Sequence, residues 1–422
     1  MESGVLDQIN NLKTEFKATM CNLLAYIKSC RGQNDAALKY LQQAEAFTQE
    51  AHDGHQAELR SLVTWGNYAW VHYRNGNIPK SQIYVEKVKQ ICDMFSSPDS
   101  IQFPELYNEE GWALLKCGKQ NERAMVCFQK ALERKPDNPE FTTGLAIAVY
   151  RLDESLPREN LIDLLKKAIQ LDPENQYVKV LLALKLQKMN KIKSAESLVE
   201  EVLLNAPCTT DVLEKAARLY YYKGDLDRGI ELLLMALESV PDNSYLQFTI
   251  GSYYRKKVLQ KVPGKKYMSP EEKQKFEELI QQGLYHLRRA NEINGHYSTT
   301  CLYIGDLYNI RCDFENADFY YRQEFTKELT PVAKQRIHLH YGNFLLNQLE
   351  DEHTAIYHFK EGVKIQEESY EKEKMEKGLQ KIANEFYRKG KHAQAESILE
   401  FLQEQKREMQ PARDISERGL DS

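Results

Sequence analysis

The sequence predicts an all-α superhelical solenoid built from about ten helix–turn–helix units, grouped in two or three sub-bundles. Three observations predict it. Pro173, Pro207 and Pro241 stand 34 residues apart, and a period near 34 is the length of one tetratricopeptide (TPR) hairpin. Within one period, small Ala217 and large Tyr220 precede a turn at Gly224. The apolar stripe Gly229, Leu233 and Ala236 follows, and Pro241 ends the second helix. Strand-like alternation and hairpin turn dipeptides are nearly absent elsewhere. A single amphipathic hairpin cannot bury its apolar face, so neighbours must stack on it.

Taken in order, residues 5–31 form the first helix around the apolar run Cys21 to Ile27. Gly32 then turns the chain into the stripe Ala37, Leu41 and Ala44. The second hairpin starts near Leu62, turns at Gly76 and continues through Ile83, Val85 and Val88. The third has Gly111, a turn at Gly118, then Ala124, Phe128 and Ala131, and it stops at Pro136. The fourth runs from Glu140 to Pro173, with Pro157 in an enlarged turn; the fifth and sixth fill residues 175–243. The seventh is interrupted. Tyr245 to Lys257 and Phe276 to Asn294 flank a surface loop or helix extension, residues 258–275, carrying Pro263, Gly264, Pro270 and five lysines. The eighth has Gly305, Ala317 and Tyr321, and the ninth Gly342, Ala355 and Phe359. A charged segment, Glu367 to Lys377, precedes the tenth, which has Ala383, a turn at Gly390, then Ala395 and Leu399. The expected organisation is therefore an N-terminal part (residues 1–58), a central array with a groove (59–257), the lysine-rich insert (258–275), a C-terminal array (276–405) and a polar tail (406–422) too poor in apolar residues to order.

Composition excludes several classes. The chain of 422 residues is 42% hydrophobic and 28% charged, with net charge −5, so any case for a polyanionic partner must come from local placement. No apolar run approaches the roughly 20 residues that span a bilayer, and the N-terminus lacks a secretory apolar stretch. Eight scattered cysteines with no C-x-x-C pair read as reduced thiols of a cytoplasmic protein, without a zinc site. Phosphate-cradling and nucleophile-elbow motifs are absent, and the ten histidines show no familiar catalytic spacing. No enzyme, cofactor or metal is expected.

The groove can be read by position. With the turn glycine as position 15, positions 4, 7, 8 and 11 form the stripe that packs on the second helix. Positions 9 and 13 share a face nearly opposite, which looks into the groove lined by first helices. Position 13 reads Arg74, Lys116, Arg151, Lys188, Tyr222 and Lys256, and position 9 adds Trp70, Trp112 and Arg218. The acidic excess then falls on the outer face, as at Glu196, Glu200, Glu201 and Glu231. Two occupants fit such a groove: single-stranded RNA, whose phosphates meet the cations and whose bases stack on the aromatics, or a peptide, the commoner ligand of TPR arrays. A register shift of one residue would bury Trp112.

Longer runs carry a resemblance. Residues 61–70 (SLVTWGNYAW), 109–118 (EEGWALLKCG), 146–153 (AIAVYRLD) and 175–186 (NQYVKVLLALKL) resemble the interferon-induced proteins with tetratricopeptide repeats, the IFIT family, and the similarity runs from about Val5 to Leu420. Residues 16–24, 328–335, 338–344 and 416–420 point to one branch of it. The chain opens downstream of the Cys-His-Phe-Thr-Trp segment with which family members usually begin. The resemblance implies a non-enzymatic, interferon-induced, antiviral protein that holds RNA, AU-rich or modified at its 5′ end, and associates with itself and with other family members. Carried over residue by residue, it implies RNA contacts at Gln8, Trp112, Lys116, Arg151, Arg218, Arg255 and Lys374, beside Lys188, Tyr222 and Lys256 from the groove pattern. Arg151 would grip phosphate through its bidentate fork. There are departures: Gly4 replaces a basic residue, Asn121 a tyrosine, Tyr222 an arginine, and Phe248-Thr249 a His-Gln pair. They imply a basic channel with more aromatic stacking rather than a deep 5′-end pocket.

Overall fold

The structure, a computed structural model, describes residues 14–51, 54–94, 104–118, 120–153, 160–205, 208–262, 268–295 and 299–409. Every regular element among them is helical. The helices are α1 (Thr14–Cys30), α2 (Asn34–Ala51), α3 (Gly54–Arg60), α4 (Leu62–Arg74), α5 (Ile78–Met94), α6 (Pro104–Ala113), α7 (Asn121–Arg134), α8 (Pro139–Asp153), α9 (Leu161–Leu171), α10 (Gln176–Lys188), α11 (Ile192–Leu204), α12 (Thr210–Lys223), α13 (Leu226–Ser239), α14 (Ser244–Lys261), α15 (Pro270–Ile293), α16 (Thr300–Ile310), α17 (Phe314–Phe325), α18 (Pro331–Asn347), α19 (Glu352–Lys364), α20 (Tyr370–Arg388) and α21 (His392–Met409). Apart from the short α3, they pair as the ten expected hairpins of an all-α TPR solenoid. The chain divides into two compact units, Met1–Pro241 with six hairpins and Asp242–Ser422 with four.

Several hairpins close by the same device. A second-helix aromatic ring presses on a glycine of the first helix, where any Cβ would collide: Tyr321 on Gly305 in unit 2, and Phe128 on both Gly111 and Gly144 in unit 1. Phe128 and Tyr321 are completely or almost completely buried. At the turns the backbone enters the left-handed region, at Gly224 with φ +89° and also at Asn190 and Cys312, with φ +62° and +65°. The fold therefore imposes that conformation even where the sequence supplies no glycine.

Local signals set the helix starts. Thr209 caps α12 by accepting from Val212 N (3.3 Å), and Ser269 with Glu272 forms a reciprocal capping box on α15. The seventh hairpin's insert is largely helix extension, since α14 runs to Lys261 and α15 starts at Pro270. The charged segment near residue 370 belongs to α20, whose N-terminus Ser369 caps through Lys372 N. In unit 1, α6 ends in a wider π turn, Leu114–Gly118, which carries Lys116.

Candidate nucleic-acid interface

The first helices α6, α8, α10 and α12 lie side by side in order within unit 1. Polar contacts stitch them. Arg151 Nη1 of α8 donates to the Leu115 carbonyl at the end of α6 (2.6 Å). Lys185 of α10 reaches back to Asp153 of α8 (Nζ–Oδ2 2.6 Å). Gln187 of α10 donates to the Leu219 carbonyl of α12 (3.0 Å). A fourth contact returns from α6 to α12, where Lys116 Nζ stands 3.8 Å from Asp211 Oδ2. Tyr177, in the first turn of α10, lies among these groups. Burial pushes its phenol up, and the charges of Lys215, Asp211, Arg151 and Glu214 all act on it. On α12, Arg218 donates from Nε and Nη2 to the Tyr222 hydroxyl (3.2 Å each), and its guanidinium sits 5.6 Å over that ring. Tyr222 remains 54% exposed, so one face of an arginine-backed aromatic is open for stacking.

The predicted residues divide between the units. Lys116, Arg151, Lys188, Arg218 and Tyr222 stand on the four stacked helices of unit 1, Lys188 and Tyr222 exposed and the others half-buried. Arg255, Lys256 and Lys374 belong to unit 2. Arg255 is engaged by Asp306 and stacks on Tyr303 at 4.3 Å, and exposed Lys374 lies over Tyr370. Gln8 lies outside the described residues. Arg74 donates to the Ser29 carbonyl (2.6 Å), and Trp70 is exposed.

Trp112 corrects the positional reading. Position 9 should face the groove, yet Trp112 is 7% exposed and sets its edge on Phe128 at 5.7 Å. Gly111 and Trp112 both turn inward because the Phe128 ring fills the gap that Gly111 leaves. The Trp112 Nε1 and the buried Asn22 Oδ1 have no hydrogen-bond partner among the described residues. Both border a pocket of about 480 Å³ with Leu23, Val63, Asn67 and Leu106. Beside it, Glu109 accepts from Thr19 Oγ1 (2.7 Å), and burial pushes its carboxyl up to about 7 against the opposing pull of Thr19 and Arg60.

The positional reading does not contain Tyr177, Lys185, Lys215 or the acids Asp153, Asp211 and Glu214. The signal was present on α12. Counting back from Tyr222 by threes and fours gives Arg218, Glu214 and Asp211, one continuous stripe. Acids stand at its N-terminal end and a cation and an aromatic at its C-terminal end, the order the helix dipole favours. The charged side chains on these first helices are therefore a mosaic of paired charges rather than a bare row of cations. Among the described residues no three His, Cys, Asp or Glu side chains are placed to hold a metal, and no helix is long and apolar enough to cross a membrane.

Comparison with known proteins agrees with this architecture. A tetratricopeptide-repeat family model matches residues 104–138, the third hairpin. The human interferon-induced protein with tetratricopeptide repeats 2 is 54% identical over 414 residues, spanning 97% of this chain and 87% of its own. A solved IFIT1 monomeric mutant with Gppp-AAAA is 35% identical, with TM-score 0.82 over 99% of this chain and 93% of that one. A human IFIT1 dimer with PPP-AAAA, also 35% identical, covers the same shares at TM-score 0.75. The chain thus belongs to the family of interferon-induced proteins with tetratricopeptide repeats.

Proposed function

We propose that this protein is a non-enzymatic antiviral effector of the cytoplasm that sequesters single-stranded RNA along the inner face of its first helices. The observation that carries the reading is the convergence of Lys116, Arg151 and Arg218 with Tyr177 and Tyr222 on four adjacent helices of unit 1. Cations neutralise phosphates, and the open Tyr222 ring can stack a base whatever its identity. The relatives solved with Gppp-AAAA and PPP-AAAA support RNA as the polyanion. The human IFIT1 dimer supports self-association, and pairing with other family members follows from the same likeness. Arg151 holds the centre because its second guanidinium nitrogens remain for phosphate while Nη1 is fixed on Leu115.

The test is binding of a labelled AU-rich strand, with 5′-hydroxyl and 5′-triphosphate ends, to wild type and Arg151→Glu across salt. Affinity should fall steeply with salt in wild type and vanish in the variant while helicity is kept. Undiminished binding by a folded Arg151→Glu protein would overturn the assignment.

A further inference from the structure

Lys116 and Asp211 come from hairpins three and six, which are not neighbours, and their pair spans the inner face where the other stitches join adjacent helices. Both partners are set up locally. The π turn Leu114–Gly118 re-aims Lys116, leaving its side chain 13% exposed against 35% for Asp211. Asp211 lies in the first turn of α12, behind the Thr209 cap, where the helix dipole favours an anion. The carboxylate is thus held in place before any ligand arrives, and it already neutralises a cation assigned to phosphate.

We propose that Asp211 is a built-in counter-anion at the Lys116 phosphate site, which RNA must displace, and that it sets the affinity and the salt response of that site. The inference rests on the RNA reading above. A phosphate reaching Lys116 takes the place of the carboxylate. Asp211 is then released toward solvent beside a phosphate of like charge, and it recruits a cation as the RNA sheds one. The exchange is nearly neutral in counterions. A site without the carboxylate would release more counterions on binding, up to about 0.7 in the slope of log affinity against log salt for a single strand. The competing pair is partly solvated, so its removal is worth roughly a 1.5- to fivefold gain in affinity. Asp153 on Lys185 and Glu214 on Lys215 neutralise cations within or between adjacent helices, and they are the natural controls for a general charge effect.

The experiment compares the full chain as wild type, Asp211→Asn, Lys116→Gln and the double variant, by anisotropy with the same labelled AU-rich RNA at several salt concentrations. The expected result is tighter, more salt-sensitive binding by Asp211→Asn, weaker binding by Lys116→Gln, and a double variant that behaves like Lys116→Gln alone. A wild-type affinity and slope for Asp211→Asn would overturn the proposal. So would an equal gain in the Lys116→Gln background, or a drop in both affinity and melting temperature that marks Asp211 as a structural residue. If wild type binds no RNA at the lowest salt, the RNA reading itself fails, and the wild-type arm alone reports that.

Discussion

Arg255 grips Asp306 as a fork, with Nε and Nη2 both directed at Oδ2, the first at 2.8 Å. The other carboxylate oxygen accepts from the Tyr321 hydroxyl (2.8 Å) and lies 3.0 Å from His340 Nδ1. Burial alone would raise the Asp306 pKa. The charges of His340 and Arg255, with the hydrogen bonds from His340 and Tyr321, hold it well below the usual carboxylate range instead. This network joins α14, α16, α17 and α18 in unit 2. Arg255→Ala would strand a buried carboxylate, so we expect a loss of about 3–5 kcal/mol, measured by urea unfolding. Arg255→Ala and Asp306→Ala together should cost less than the sum of the two. A loss of RNA binding in Arg255→Ala counts as loss of a contact only where the protein remains folded.

Unit 2 should also weaken in acid. Burial lowers His286 and His338 to about 4, and the neighbouring His358 adds to the effect on His338. The folded state keeps these rings neutral, while the unfolded chain protonates near 6.5. The unfolded state therefore binds more protons below that pH, and stability is lost as pH falls from about 6.5 toward 4. Asp306 adds a second loss below about 4, where the unfolded carboxylate protonates first. Urea midpoints at pH 7.5 and 5 check this, and His338→Phe should flatten part of the slope.

Glu109 has the opposite sign. Its carboxyl is pushed up to about 7 in the folded protein, so the native state holds a proton that the unfolded state has already lost. Stability at this site falls as pH rises from about 4.5 to 7 and is level above that. Glu109→Gln should remove that dependence and raise the melting temperature at pH 8 relative to wild type. A lower melting temperature at every pH would show that the ionised form is the one the fold requires.

Gly144→Ala should destabilise unit 1. The added Cβ would fall inside van der Waals contact of the Phe128 ring, which is also pressed on Gly111 and touched edge-on by Trp112. The ring has no free direction to move, and overpacking of this kind costs about 1–3 kcal/mol. Phe128→Leu in the same background should recover part of that loss, read by thermal unfolding.

The sequence by itself determined the hairpins. The 34-residue spacing of Pro173, Pro207 and Pro241, the turn glycines and the small residue at each helix crossing are local requirements, so one chain states them without reference to distant parts. It also assigns Arg151 and Lys116 to one face of their first helices, because a residue's face follows from the 3.6-residue period. Tertiary packing decided what those periods leave open by one residue. Trp112 turned inward because Phe128 fills the space over Gly111, a contact with the next helix that the α6 pattern does not contain. Packing also decided which charges meet. Lys116 with Asp211 and Arg255 with Asp306 are separated by many residues. Helical spacing specifies the face a side chain takes, and only the stacking of hairpins brings its partner within reach of a charge.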